Sequence, residues 1–141
     1  MALPLLLVLA SVVAAEAQLR GYNPANSAYE RSQDVSMIQL IANPQAWDGK
    51  HIRVIGFLRL EFEGDALYLH KEDYVHGIAT DAVWIDRPAS LTSAQQNAIN
   101  SDYVICEGIF RAGKHGHMGM FSGTISDINR LEAWSFTRPE K

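Results

Sequence analysis

The chain has 141 residues, 48% of them hydrophobic and 20% charged, with a formal net charge of −4. That length and composition point to one domain with a buried core, not to an array of domains or a disordered chain. The acidic balance argues against a nucleic-acid partner, because binding phosphates independently of sequence takes Lys and Arg.

Residues 1–17, MALPLLLVLASVVAAEA, hold an uncharged run from Leu3 to Ala15 and then Ala15-Glu16-Ala17, the small-x-small pattern of a secretory cleavage site. The run is shorter than the roughly 20 apolar residues of a full membrane span. The expectation is a signal peptide cleaved after Ala17 and a periplasmic or secreted protein. The alternative is an anchor formed by residues 3–15, and only then a membrane partner. Residues 18–33 are polar, contain Gly, Pro and Asn, and read as a flexible leader.

Residues 34–44 predict a short helix, with Asp34 as N-cap, Met37, Ile38 and Ile41 on one face, and Pro44 ending it. A turn at WDGK, 47–50, leads into a long strand over 51–63. There Ile52, Val54, Gly56, Leu58, Leu60 and Phe62 share the buried parity. Gly56 predicts a bend. Gly64-Asp65 predicts a tight hairpin into a return strand at 66–70, with Leu67 and Leu69 inward. Residues 71–80 are too polar for a strand and read as a loop with room for one helical turn. A third strand follows at 81–88. A helix at 91–100 opens on a Thr92/Gln95 capping box. The fourth strand, 102–112, places Val104, Cys106, Gly108 and Phe110 on one face. Cys106 is the single cysteine, so no internal disulfide is possible, and its setting suits burial. The fifth strand, 120–128, aligns Phe121, Gly123 and Ile125, and Ile128 falls off that parity as a bulge would make it. The tail, 132–141, reads as loose, with Trp134 and Phe136 able to dock.

Three strands, a helix and two strands, preceded by an extra helix, is the order of the five-stranded Greek-key OB barrel. The expected fold is therefore mainly β, an OB-like domain over 34–131 with an added N-terminal helix. The alternative is another small α+β sheet with helices on one face. The segments NPQAWDGKHIRVIGFL, ALYLHKEDYVHGI and YVICEGIFRAGKHGHMGMFSGTI resemble an uncharacterised family of small exported bacterial OB-fold-like proteins with no assigned activity. The resemblance covers about residues 34–131 and implies a fold and a bacterial origin. It brings no active site with it.

Four of the five histidines lie in LHKEDYVHGI, 69–78, and RAGKHGHMGMFSG, 111–123. In the expected barrel these stretches connect strands two to three and four to five, so both emerge at the same end. Three readings follow. His76, His115 and His117 could ligate zinc, with Glu72 or Asp73 as a catalytic general base, although the spacing matches no strong zinc motif. Tyr68, His70, His76 and Trp84 could bind a small molecule or a protein or peptide ligand, with Tyr68 and Trp84 as an aromatic platform on the outer face. Or these polar groups could serve structure alone, capping loop amides and bridging loops. There is no nucleophilic-serine motif, phosphate loop or dinucleotide fingerprint. The leading expectation is an exported OB-like binding or interaction module whose ligand region is the histidine-bearing end. A zinc-dependent hydrolase comes second and a nucleic-acid-binding OB protein third.

Overall fold

The structure is a computed structural model and describes residues 31–136. The expected signal peptide, most of the leader and the last five residues of the tail lie outside that range. Among the described residues no helix is long and apolar enough to cross a membrane.

Six strands form the sheet: β1 (Gln33–Asp34), β2 (His51–Arg59), β3 (Ala66–Tyr68), β4 (Ala82–Ile85), β5 (Tyr103–Arg111) and β6 (Thr124–Ala133). Helix α1 (Met37–Ala42) precedes β2, α2 (Lys71–Val75) follows β3, and α3 (Ser93–Ile99) follows β4. The order runs β1-β2-β3-β4-β6-β5, and β5 returns to pair antiparallel with β2. Strands β2 to β6 therefore close into a five-stranded barrel. β4 and β6 pair in parallel and all other barrel pairs are antiparallel. This is the expected OB-like order, and closure removes the edges that an open sheet of this size would expose.

The alternation in β2 does what its parity predicts as far as Leu60. Ile52, Val54, Leu58 and Leu60 are buried with Leu67, Val83, Ile85, Val104, Cys106, Phe110 and Ile125 in the barrel core. Burial, and secondarily Glu107 nearby, push the Cys106 thiol up to about 12, so it is an inert apolar filler there. Gly56 has no room for a side chain, since a Cβ would lie 2.7 Å from Leu67 Cγ and 2.8 Å from the Tyr68 carbonyl oxygen. Strand β3 thus crosses β2 closely at the expected bend.

Several boundaries differ from the sequence reading, each for a local reason. The cap of α1 is Ser36, whose hydroxyl accepts from Gln39 N–H while the Gln39 side chain accepts from Ser36 N–H. Asp34 is drawn into β1 instead, paired with Arg53. Strand β2 stops before Phe62, which is 91% exposed, because the chain turns at Glu61–Gly64 with Glu63 at φ +54. Asp65 fixes that turn by accepting from Glu61 N–H and from Arg87 Nε. The 71–80 stretch does make its helical turn, α2, whose first amide, His70 N–H, is taken by the Asp73 carboxylate at 2.8 Å. Strand β6 begins later than expected and runs to Ala133. Its pairing with β5 skips from Ile109↔Ser126 to Glu107↔Arg130, which is the bulge that Ile128 signalled, with Asp127 at φ +49. Trp134 N–H still donates to Tyr103, and its ring stacks on Phe136 at 6.4 Å.

Candidate functional site

The outer faces of β2, β3 and β4 carry Phe57, Ala66, Tyr68 and Ala82, with Trp84 beside them. Tyr68 and Trp84 do share this face, as expected from their parity. The chain then covers the face with its own side chains. Tyr74 of α2 meets Tyr68 edge-on at 5.4 Å, and Phe121 of the β5–β6 loop meets Trp84 edge-on at 5.4 Å. Tyr68 is consequently only 6% exposed. Burial above all, with Glu61 and Tyr74 adding, raises its phenol above the ordinary tyrosine value, against the opposing pull of Arg59. Arg59 lies over the Tyr74 ring at 4.5 Å and bonds Glu61 and Ser101, and Tyr74 donates to Glu61 at 3.0 Å. These groups are occupied with one another, save Arg59 Nε, which is buried without a hydrogen-bond partner among the described residues.

The β5–β6 loop meets the far end of the β3–β4 connection. Ser122 Oγ donates to the Thr80 carbonyl at 2.6 Å, and Ser122 N–H to Ala82. The histidines themselves go different ways. His115 Nδ1 donates to the Phe121 carbonyl at 2.9 Å and so pins its own loop. His117 Nε2 lies 3.6 Å from Glu63 in the β2–β3 turn, joining two loops. His76 is exposed where α2 ends, its N–H donating to Glu72 O. His70 stands at the N-cap of α2 and lines a groove. Among the described residues no three His, Cys, Asp or Glu side chains gather as a metal-holding group. Asp73 serves as the α2 cap and Glu72 is exposed beside it.

The groove that His70 lines is a concavity of about 650 Å³. That falls within the roughly 300–1,000 Å³ of small-ligand sites. One wall is the segment Asp34–Gln39, and the other is Leu69 and His70. The floor is the outer face of the barrel, with Arg53 and Ile55 of β2 and Tyr103 of β5. It exists because β2 has two partial neighbours on the side away from β5. β1 pairs with Ile52 and Arg53, and β3 pairs from Phe57 onward. Residues 54–56 lie between them, and among the described residues no strand covers that side.

Exposed apolar side chains line both wall and floor: Ile38 is 63% exposed, Ile55 39% and Tyr103 36%. The charge at the groove's end is already matched. Arg53 Nε donates to Glu107 at 2.7 Å and its Nη1 to Asp34 at 3.4 Å. Of the candidate ligand-binding, catalytic and metal residues named from the sequence, only His70 belongs here. Ile38 was expected on the buried face of α1, but Met37 and Leu40 take that place. The missed signal was on β2: Ile55 and Phe57 are apolar on the parity that should face water.

The molecule is thus a small closed OB-like barrel whose usual ligand face is filled by its own aromatic side chains and whose open concavity lies beside α1. Comparison of the chain with protein-family models, with curated proteins and with solved structures finds no match.

Proposed function

We propose that this protein is an exported, non-enzymatic binding module that holds an apolar ligand group in the groove between α1 and β2. The observation that carries this reading is the set of exposed apolar side chains, Ile38, Ile55 and Tyr103, arranged around one concavity with few free polar groups. Ligand sites are mostly apolar, with a small number of placed polar atoms. His70 and the Tyr103 phenol are the polar groups at hand. Export rests on the cleavage-site pattern of residues 1–17.

The competing readings have less behind them. A zinc hydrolase needs three converging ligands, and His76, His115 and His117 are directed to separate partners or to solvent. A nucleic-acid groove needs free cations in line, whereas Arg53, Arg59, Arg87, Arg111 and Arg130 each contact a carboxylate.

The test uses the fluorescent apolar probe anilinonaphthalene sulfonate with the mature protein. Its emission rises on the wild type and falls by at least about tenfold in apparent affinity with Ile38→Asp or Ile55→Asp, as expected when an apolar contact is replaced by a charge. Phe62→Ser, which removes an exposed ring outside the groove, leaves binding unchanged. Loss of binding with Phe62→Ser, and none with the two groove variants, contradicts the proposal.

A further inference from the structure

Among the described residues, one peptide unit of the groove-lining strand β2 meets no partner on the side away from β5. In β2 the backbone groups point alternately to the two sides. Leu58 N–H donates to Asp102 and Lys50 O accepts from Phe110, so the even-numbered residues face β5. Arg53 O accepts from Val35 N–H, so the odd-numbered residues face the opposite side. Phe57 and Arg59 meet β3 there. Ile55 is the odd residue between, and among the described residues its N–H and C=O meet no backbone partner on that side. Ile55 lines the groove together with Ile38 and Leu69.

Each backbone amide is a strong donor and acceptor that folded proteins nearly always satisfy. Where no other group does so, solvent water can. A hydrocarbon ligand filling the groove would strip that water and leave the pair unmet, at a cost. A polypeptide would replace the water with its own C=O and N–H, as in strand addition to a sheet edge. Resting on the groove reading above, we propose that the occupant is an extended polypeptide segment. It places one apolar side chain among Ile38, Ile55 and Tyr103 and exchanges backbone hydrogen bonds with Ile55. The gap spans residues 54–56, about 10 Å at a strand's rise per residue. β1 and β3 close it at both ends, so the pairing is confined to one residue of the partner. The apolar side chain therefore supplies most of the affinity and the backbone bonds fix its register.

The experiment titrates acetyl-Thr-Leu-Thr-amide into the ¹⁵N-labelled mature protein, beside the same peptide N-methylated at leucine. The expected result is saturable binding with the Ile55 amide proton moving downfield. N-methylation removes the donor to Ile55 O and weakens binding by about 2- to 10-fold, the worth of one hydrogen bond. Equal binding of both peptides with an unmoved Ile55 amide overturns the backbone recognition and leaves the groove reading standing. Failure of both peptides while anilinonaphthalene sulfonate still binds overturns the polypeptide occupant alone. Failure of peptides and fluorescent probe together overturns the groove itself.

Discussion

Glu107 shows how a single buried carboxylate organises the outer wall of the barrel. It is 9% exposed and accepts from Arg53 Nε at 2.7 Å, Arg130 Nη1 at 3.0 Å and Ser32 Oγ at 3.0 Å. Burial by itself would raise its carboxyl, but these three donors outweigh that and hold it below the usual glutamate range. A depressed folded-state value means that its stabilisation is complete above the unfolded value, about 4.3, and is lost as pH falls through the folded one. Urea unfolding should show stability steady near neutrality and falling below about pH 4.3, and Glu107→Gln should flatten that fall. At neutral pH the variant is expected to cost about 1–3 kcal/mol, a reduced figure because both arginines are partly in water. A variant with the wild-type acid profile would contradict this role. At the same scale the sequence misled in one respect. Asp34 is a good N-cap by type, yet Ser36 caps α1, because only Ser36 has a Gln three residues on to complete the reciprocal pair. The charge of Asp34 goes to Arg53 instead, which no local pattern announces.

Among the elements, the long β5–β6 connection does the most to shape the surface. It folds back over β4, with Thr124 donating to Lys114 O and His115 to Phe121 O. Gly116 is where the loop touches the sheet: at φ +61, a Cβ there would lie 2.7 Å from three atoms of Trp84. Gly116→Ala combines a left-handed backbone with overpacking, and thermal unfolding should report a loss of about 2–4 kcal/mol. Gly113→Ala in the same loop meets nothing within 4 Å and is the control. Its expected change is within about 0.5 kcal/mol. Equal effects of the two variants would contradict the packing assigned to Gly116. The histidines of this loop were conspicuous by composition, and the β5–β6 loop does meet the β3–β4 connection, through Ser122 and Thr80. What composition could not say is where each ring points. His117 reaches to Glu63 because the β2–β3 turn ends early, and that turn depends on the distant pair Arg87–Asp65.

For the whole molecule, strand order was legible because each strand's period and each turn residue agreed with one another, and few topologies accept three strands, a helix and two strands. The groove was not legible, because it is made by an absence: β1 stops pairing at Arg53, β3 begins at Phe57, and neither boundary is written within β2. Its one local trace is Ile55, apolar on the solvent parity, which taken singly is unremarkable since exposed apolar residues are common. The aromatic face predicted as a platform is real in its composition and is packed beneath α2 and the β5–β6 loop.

Among the described residues β2 has no strand beside Ile55 on the side away from β5, and native-state hydrogen exchange of the free protein tests this directly. In the middle of a long, otherwise paired strand, the Ile55 amide should exchange at least about a hundredfold faster than those of Val54 and Gly56, whose openings require β5 to separate. Protection of Ile55 equal to that of its two neighbours would mean that this peptide group is already paired, and the groove would have no backbone to offer.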